Sequence, residues 1–98
     1  MSNRKENIVS LGDAIKQMLS VYKITGKLDE ISIQKEWEEL MGPMIAKRTK
    51  SIKLKEHTLH VKIESSVLRH ELLFARKKII QDLNARMGKT LIQDLKLY

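Results

Sequence analysis

Apolar residues recur at Leu11, Ala14, Ile15, Met18, Leu19 and Tyr22, a spacing of threes and fours that lines one face of an α-helix. Ser10 can cap that helix, with Asp13 three residues on as the acid of a capping box. Gly26 follows the stripe and predicts its end, with Lys23 and Lys27 beside the negative pole of the helix dipole. A second helix is expected from Asp29 or Ser32. Glu30, Glu36, Glu38 and Glu39 crowd its first turns, where the dipole favours acids, and Ile33, Trp37, Leu40 and Met41 form its inner face, extended by Met44 and Ile45. Pro43 lacks an amide hydrogen, so it either kinks this helix or opens a short new one after Gly42, helical to about Lys47.

The period then becomes two. Ile52 and Leu54 alternate with Ser51, Lys53 and Lys55, and Leu59, Val61 and Ile63 alternate with Thr58, His60, Lys62 and Glu64. Runs at 51–55 and 58–64, joined by Glu56-His57, predict a β-hairpin. The joint lacks Asn-Gly or Asp-Gly, so the turn type stays open. Ser65 or Ser66 can cap a long helix over 66–87 with a seam of Leu68, Leu72, Ala75, Ile79, Leu83 and Met87, flanked by Phe74 and Ile80. Gly88 suits the left-handed position that ends helices, and 92–97 is a last strand with Leu95 and Leu97 on one face. A helix of that length, about 33 Å, can return the chain along the sheet and set the last strand parallel to the second. The expected class is α+β in the order α-α-β-β-α-β, with helices packed on one face of a three-stranded sheet. Residues 10–98 should form one domain behind a flexible arm, residues 1–9.

Composition narrows the function. A chain of 98 residues with 42% hydrophobic content can bury a single modest core. Without cysteine it has no disulfide framework and no thiolate chemistry. No apolar run approaches the roughly 20 residues of a bilayer span, and the polar first residues lack a signal-peptide core, so a cytoplasmic or nucleoid-associated location without membrane contact is expected. The formal charge is +7 and the pI about 9.8, a balance that draws polyanions.

The charge is clustered. Lys47, Arg48, Lys50, Lys53 and Lys55 lie within nine residues. If the apolar hairpin residues face the helices, Lys53, Lys55, His60 and Lys62 fall together on the open face, joined by Lys96 and Tyr98. Lysines there can meet phosphates, and His60 or Tyr98 can stack on a base. The competing reading is that strand lysines deter edge-to-edge aggregation. A second basic set, Arg69, Arg76, Lys77, Lys78 and Arg86, reads as the solvated side of the last helix. Trp37, at a seam position, reads as a core anchor. His57, His60 and His70 fall on a turn, a strand and a helix without metal-ligand spacing. No P-loop, glycine-rich dinucleotide motif or nucleophile elbow is present. The chain therefore reads as a binding module without catalysis, cofactor or metal.

With these residues in view, the pattern W-E-E-L-M-G-P-M-I-A-K-R-T at 37–49 resembles a widespread bacterial family whose members include the DciA proteins, which load or recruit the replicative DNA helicase. The likeness continues through the strand pair at 51–66, the helix L-R-H-E-L-L-F-A-R-K-K-I-I-Q-D-L-N at 68–84 and the strand I-Q-D-L-K-L at 92–97. It departs at Val67-Leu68, where relatives often carry an aromatic residue, and at Arg48, where many have histidine. Longer relatives add a flexible tail that helps bind DNA or helicase, so the resemblance is to a short form. It implies a KH-like domain, but no GxxG clamp, because Gly12, Gly26, Gly42 and Gly88 are far apart. It also implies helicase as partner, with the outer side of Arg69 to Lys78 one candidate contact. Single-stranded DNA would be held weakly by Lys50, Lys53, Lys55 and Lys62, with Arg48 beside them. An RNA-binding protein of translation or RNA turnover, and a pure protein-interaction module, are the alternatives; the oligomeric state stays open.

Overall fold

The computed structural model describes residues 10–98, so the arm expected at residues 1–9 lies outside the described residues. Helix α1 (Leu11–Met41) leads into a short α2 (Pro43–Arg48), strands β1 (Thr49–Lys55) and β2 (Thr58–Ile63), helices α3 (Ser66–Phe74) and α4 (Arg76–Met87), and strand β3 (Asp94–Leu97). The sheet order is β1-β2-β3, with β1 antiparallel and β3 parallel to the central β2. This is the expected α+β mixed sheet with helices on one face.

Ser10 caps α1 as expected, its Oγ accepting from the Asp13 amide at 3.1 Å. The helix does not end at Gly26. It runs unbroken for 31 residues, so the two helices expected from the sequence are one. Glycine inside a helix costs only about 1 kcal/mol against alanine, and a stop needs somewhere for the chain to turn back to. Nothing lies within 4 Å of where a Gly26 Cβ would be. Asp29 and Glu30, expected near a cap, instead tie the middle of the helix to the body. Asp29 accepts from Lys89 Nζ at 2.9 Å, and Glu30 accepts from the Leu54 amide at 3.0 Å.

The C-terminal part of α1 carries the core. Ile33 and Trp37 are fully buried against Ile52, Leu59, Val61, Ile63, Leu72, Ile79, Leu83, Ile92 and Leu95. Trp37 is thus the anchor its seam position predicts. Its Nε1–H donates to Thr49 Oγ1 at 3.0 Å, and that hydroxyl donates to the Ile45 carbonyl at 2.9 Å, which ties α1, α2 and β1 together. Of the two roles open to Pro43, it takes the second, sitting at the start of α2 after Gly42.

The long last helix is broken. Ala75 leaves helical geometry (φ −96°, ψ 8°) and separates α3 from α4. The offset keeps Leu72 and Ile79 both buried while Ala75, expected in the seam, and Phe74, expected to flank it, are exposed. It also aims Arg76 inward. Its place in the second basic set predicts a solvated Arg76; instead its Nε donates to the Leu95 carbonyl at 2.9 Å and its Nη2 to the Asp94 carboxylate. Arg69 is likewise half-buried, donating to the Ile63 carbonyl at 2.9 Å.

Gly88 ends α4 in the left-handed conformation (φ 71°). Asn84 then pins the following loop, its Oδ1 accepting from the Leu91 and Ile92 amides and its Nδ2 donating to the Ile92 carbonyl. No helix among the described residues is long and apolar enough to cross a membrane.

Candidate nucleic-acid interface

The hairpin fixes which side chains share a surface. Glu56 and His57 both have positive φ, 47° and 68°, the pattern of a tight two-residue turn whose twist suits paired strands. The His57 carbonyl accepts from the Gln93 amide at 2.8 Å, so the approach to β3 holds this turn from outside. With that register set, Ile52, Leu59, Val61, Ile63 and Leu95 point into the core. Their neighbours point the other way.

On the open face, Lys53 lies opposite His60, and His60 opposite Lys96. This places Lys53, His60 and Lys96 in one row across all three strands, with neighbouring strands about 5 Å apart. Lys55 lies opposite Thr58 on one side of that row, and Lys62 opposite Ser51 on the other. His60 Nδ1 and the Tyr98 hydroxyl share a hydrogen bond of 2.6 Å, and their rings lie nearly parallel, centroids 5.7 Å apart. Lys55, Glu56, Thr58, His60 and Lys96 line an open depression at the turn end. The geometry brings four lysines and one aromatic pair onto a single surface.

The acids nearby are largely taken. Asp94 is engaged by Arg76 and Glu64 by Lys50 at 2.8 Å, leaving Glu56 at the rim. Lys53, Lys55, Lys62 and Lys96 form no ion pair among the described residues. Lysines so placed can meet phosphates by charge, and a flat polar ring pair can stack on a base.

Lys50 and Arg48 stand apart from the row. The register slips between Thr49 and Ser51, a β-bulge that puts the extra residue Lys50 beside Glu64. Their contact raises the Lys50 pKa above its ordinary value, chiefly through the hydrogen bond and then through charge. The same bond, with Arg48 nearby as a lesser cause, lowers the Glu64 carboxyl below its own. Arg48 is exposed at the end of α2. Of the five residues singled out from the sequence, Lys53, Lys55 and Lys62 are brought together, Lys50 is spent on an ion pair, and Arg48 sits at the bulge end.

The residues that sequence reasoning missed are the edge covers. Gln34 Nε2 donates to the Ile52 carbonyl at 3.3 Å, and with Glu30 on the Leu54 amide it closes the outer edge of β1. Arg76 does the same for β3. Spacing offers one retrospective signal: Glu30 and Gln34 are four apart on one helix face. Helix side chains thus occupy two outward backbone groups of β1 and one of β3, which weighs against the competing reading of the strand lysines as protection of bare edges.

No group of three or more His, Asp or Glu side chains among the described residues is placed to hold a metal. A family model described as Dna(CI) antecedent, DciA, matches residues 10–97. No curated protein matches the chain by sequence.

Proposed function

Because the chain belongs to the DciA family, a family of helicase loaders and recruiters, we propose that it is a small non-catalytic adaptor that binds the replicative DNA helicase and holds single-stranded DNA on the open face of its sheet. The observation that carries the DNA half of this reading is the row Lys53–His60–Lys96, flanked by Lys55 and Lys62, whose lysines form no ion pair among the described residues. The order of elements from α1 to β3 suits a KH-like module. Its four glycines are too scattered for a GxxG clamp, so the strand is held by side-chain charge and ring stacking rather than by a backbone cradle. Such contacts give weak, salt-sensitive binding without sequence preference.

The test is a titration of the purified chain with the replicative helicase of the same organism, with and without labelled single-stranded DNA. Saturable helicase binding, tightened by DNA, is the expected outcome. Oligonucleotide binding without helicase binding would reduce the chain to a general nucleic-acid module. Competition between matched RNA and DNA strands would then decide between them, since the 2′-hydroxyl is the difference a protein reads. Binding of neither kind removes the adaptor reading.

A further inference from the structure

The first half of α1 stands clear of the body. No residue from 11 to 28 is buried, and the molecule extends 66 Å in one direction against 23 and 20 Å in the others. Yet this stretch is not built for water. Leu11 is 79% exposed, Met18 59% and Tyr22 69%, with Ile15, Val21 and Leu28 open as well. At roughly 100 Å² each, these side chains together reach the upper end of the roughly 300–600 Å² that the largest apolar patch of a monomer spans. A solitary helix of this length, about 27 Å, is also only marginally stable without packing.

The spacing states what kind of neighbour fits. Leu11, Ala14, Met18, Val21, Thr25 and Leu28 alternate by three and four, the 3.5-residue repeat of a helix that winds against another helix. The positions flanking this seam are Ile15, Gln17, Tyr22 and Ile24, all uncharged. Lys16 and Lys23 lie on the far side. In helix pairs, flanking charges select a foreign partner or repel a like one; here there are none, so nothing in the seam opposes a second copy of the same chain.

We propose that the free half of α1 pairs with the same segment of a second copy, antiparallel, to form a two-fold dimer. Antiparallel alignment sets Leu11 against Leu28 of the second copy, Met18 against its Val21, and Ala14 against its Thr25. Large residues thus meet large and small meet small, and the two-fold repeats each contact. The parallel alternative stacks Ala14 on Ala14 and Thr25 on Thr25, leaving a thin layer and a polar one. The antiparallel pair also carries the two sheets to opposite ends, with both lysine faces free. The face so buried is of the order of the 1,000 Å² total, roughly, that a specific interface needs.

Sedimentation velocity over a hundredfold range of concentration tests this without helicase or DNA. A reversible monomer–dimer equilibrium is expected. Met18→Glu or Val21→Glu should weaken it about tenfold or more, since each buries a charge in the seam. Lys16→Glu, on the far side, should leave it unchanged. None of these residues touches the core, and circular dichroism with Trp37 fluorescence confirms that the body stays folded. Because the chain has no cysteine, orientation can be read by disulfide trapping. Mixing Ala14→Cys with Thr25→Cys should give a cross-link that neither variant gives alone. A monomer at every concentration overturns the proposal. Self-cross-linking of each single variant overturns the antiparallel arrangement. Loss of helicase binding in Met18→Glu, in a chain that is always monomeric, would assign the seam to the helicase instead.

Discussion

Glu30 is the most exacting single position on the sheet side of α1. Its carboxylate takes the outward-facing Leu54 amide, and that bond, ahead of the charges of Lys27 and Lys53 and against the pull of burial, lowers its pKa below the ordinary 4.5. A carboxyl that binds its proton more weakly when folded stabilises the fold above its unfolded pKa and loses that contribution as pH falls through the folded value. Urea titrations should therefore show stability declining below about pH 4.5 in the natural chain and declining less in Glu30→Gln. Glu30→Ala leaves the Leu54 amide without its acceptor and should cost about 1–3 kcal/mol at neutral pH. Trp37 is the other residue on which the body depends. Trp37→Ala empties the centre of the core and breaks the relay through Thr49 to Ile45. Its cost, about 3–5 kcal/mol, approaches the whole stability of a small domain, so that variant should unfold at low urea, whereas Trp37→Phe should stay folded with a reduced midpoint.

At the scale of elements, the hairpin turn invites improvement. Glu56 holds φ 47° without glycine's freedom, a conformation that asparagine adopts more readily. Glu56→Asn should raise stability by about 0.5–1 kcal/mol, measured as a shift in urea midpoint. It should also remove the one unengaged acid at the rim of the lysine face. Strand periods, the cap at Ser10 and the left-handed Gly88 were legible in the sequence, because each is decided by residues within a turn of itself; the cap at Ser65 and the short helix opened by Pro43 were each one of two outcomes that local residues left open. The two helix boundaries that were not legible depend on distant partners. Gly26 with its lysines has the local chemistry of a stop, but the helix goes on because Asp29 and Glu30 are held by Lys89 and the amide of Leu54, from the far end of the chain and from β1. The run Leu68, Leu72, Ala75, Ile79 keeps a helical period through a real break. Just past the break, Arg76 reaches Asp94 and Leu95, 18 and 19 residues later in the chain. Arg76→Lys keeps the charge but not the two-pronged reach across an edge carbonyl and a carboxylate. It should destabilise nearly as much as Arg76→Ala, a comparison that a pure surface ion pair would fail.

At the scale of the whole molecule, some cations are engaged within the fold and four lysines share the open face of the sheet. Arg69, Arg76 and Arg86 are occupied within the fold, the last by Glu36 and Glu39, and Lys50 is held by Glu64, while Lys53, Lys55, Lys62 and Lys96 stay unpaired on one face. Alternation made the sheet-face lysines visible, whereas Lys50, singled out for its place in the basic cluster, is set beside Glu64 by a bulge that no periodic reading anticipates. The difference can be measured as counterion release. For single strands the dependence of log affinity on log salt steepens by about 0.7 for each phosphate neutralised. Replacing Lys53, Lys55 and Lys62 together by Ala should therefore flatten the slope by about 2, with the body still folded by Trp37 fluorescence. Lys96→Ala should flatten it by about 0.7 on its own, which would place β3 in the interface. Lys50→Ala should move it less, since it removes a charge already shared with Glu64 and releases that carboxylate beside the bound strand. A slope equally sensitive to Lys50 and Lys53 would mean that the strand runs off the sheet over the bulge toward Arg48. A slope indifferent to all of them would leave the lysine face without a nucleic-acid role.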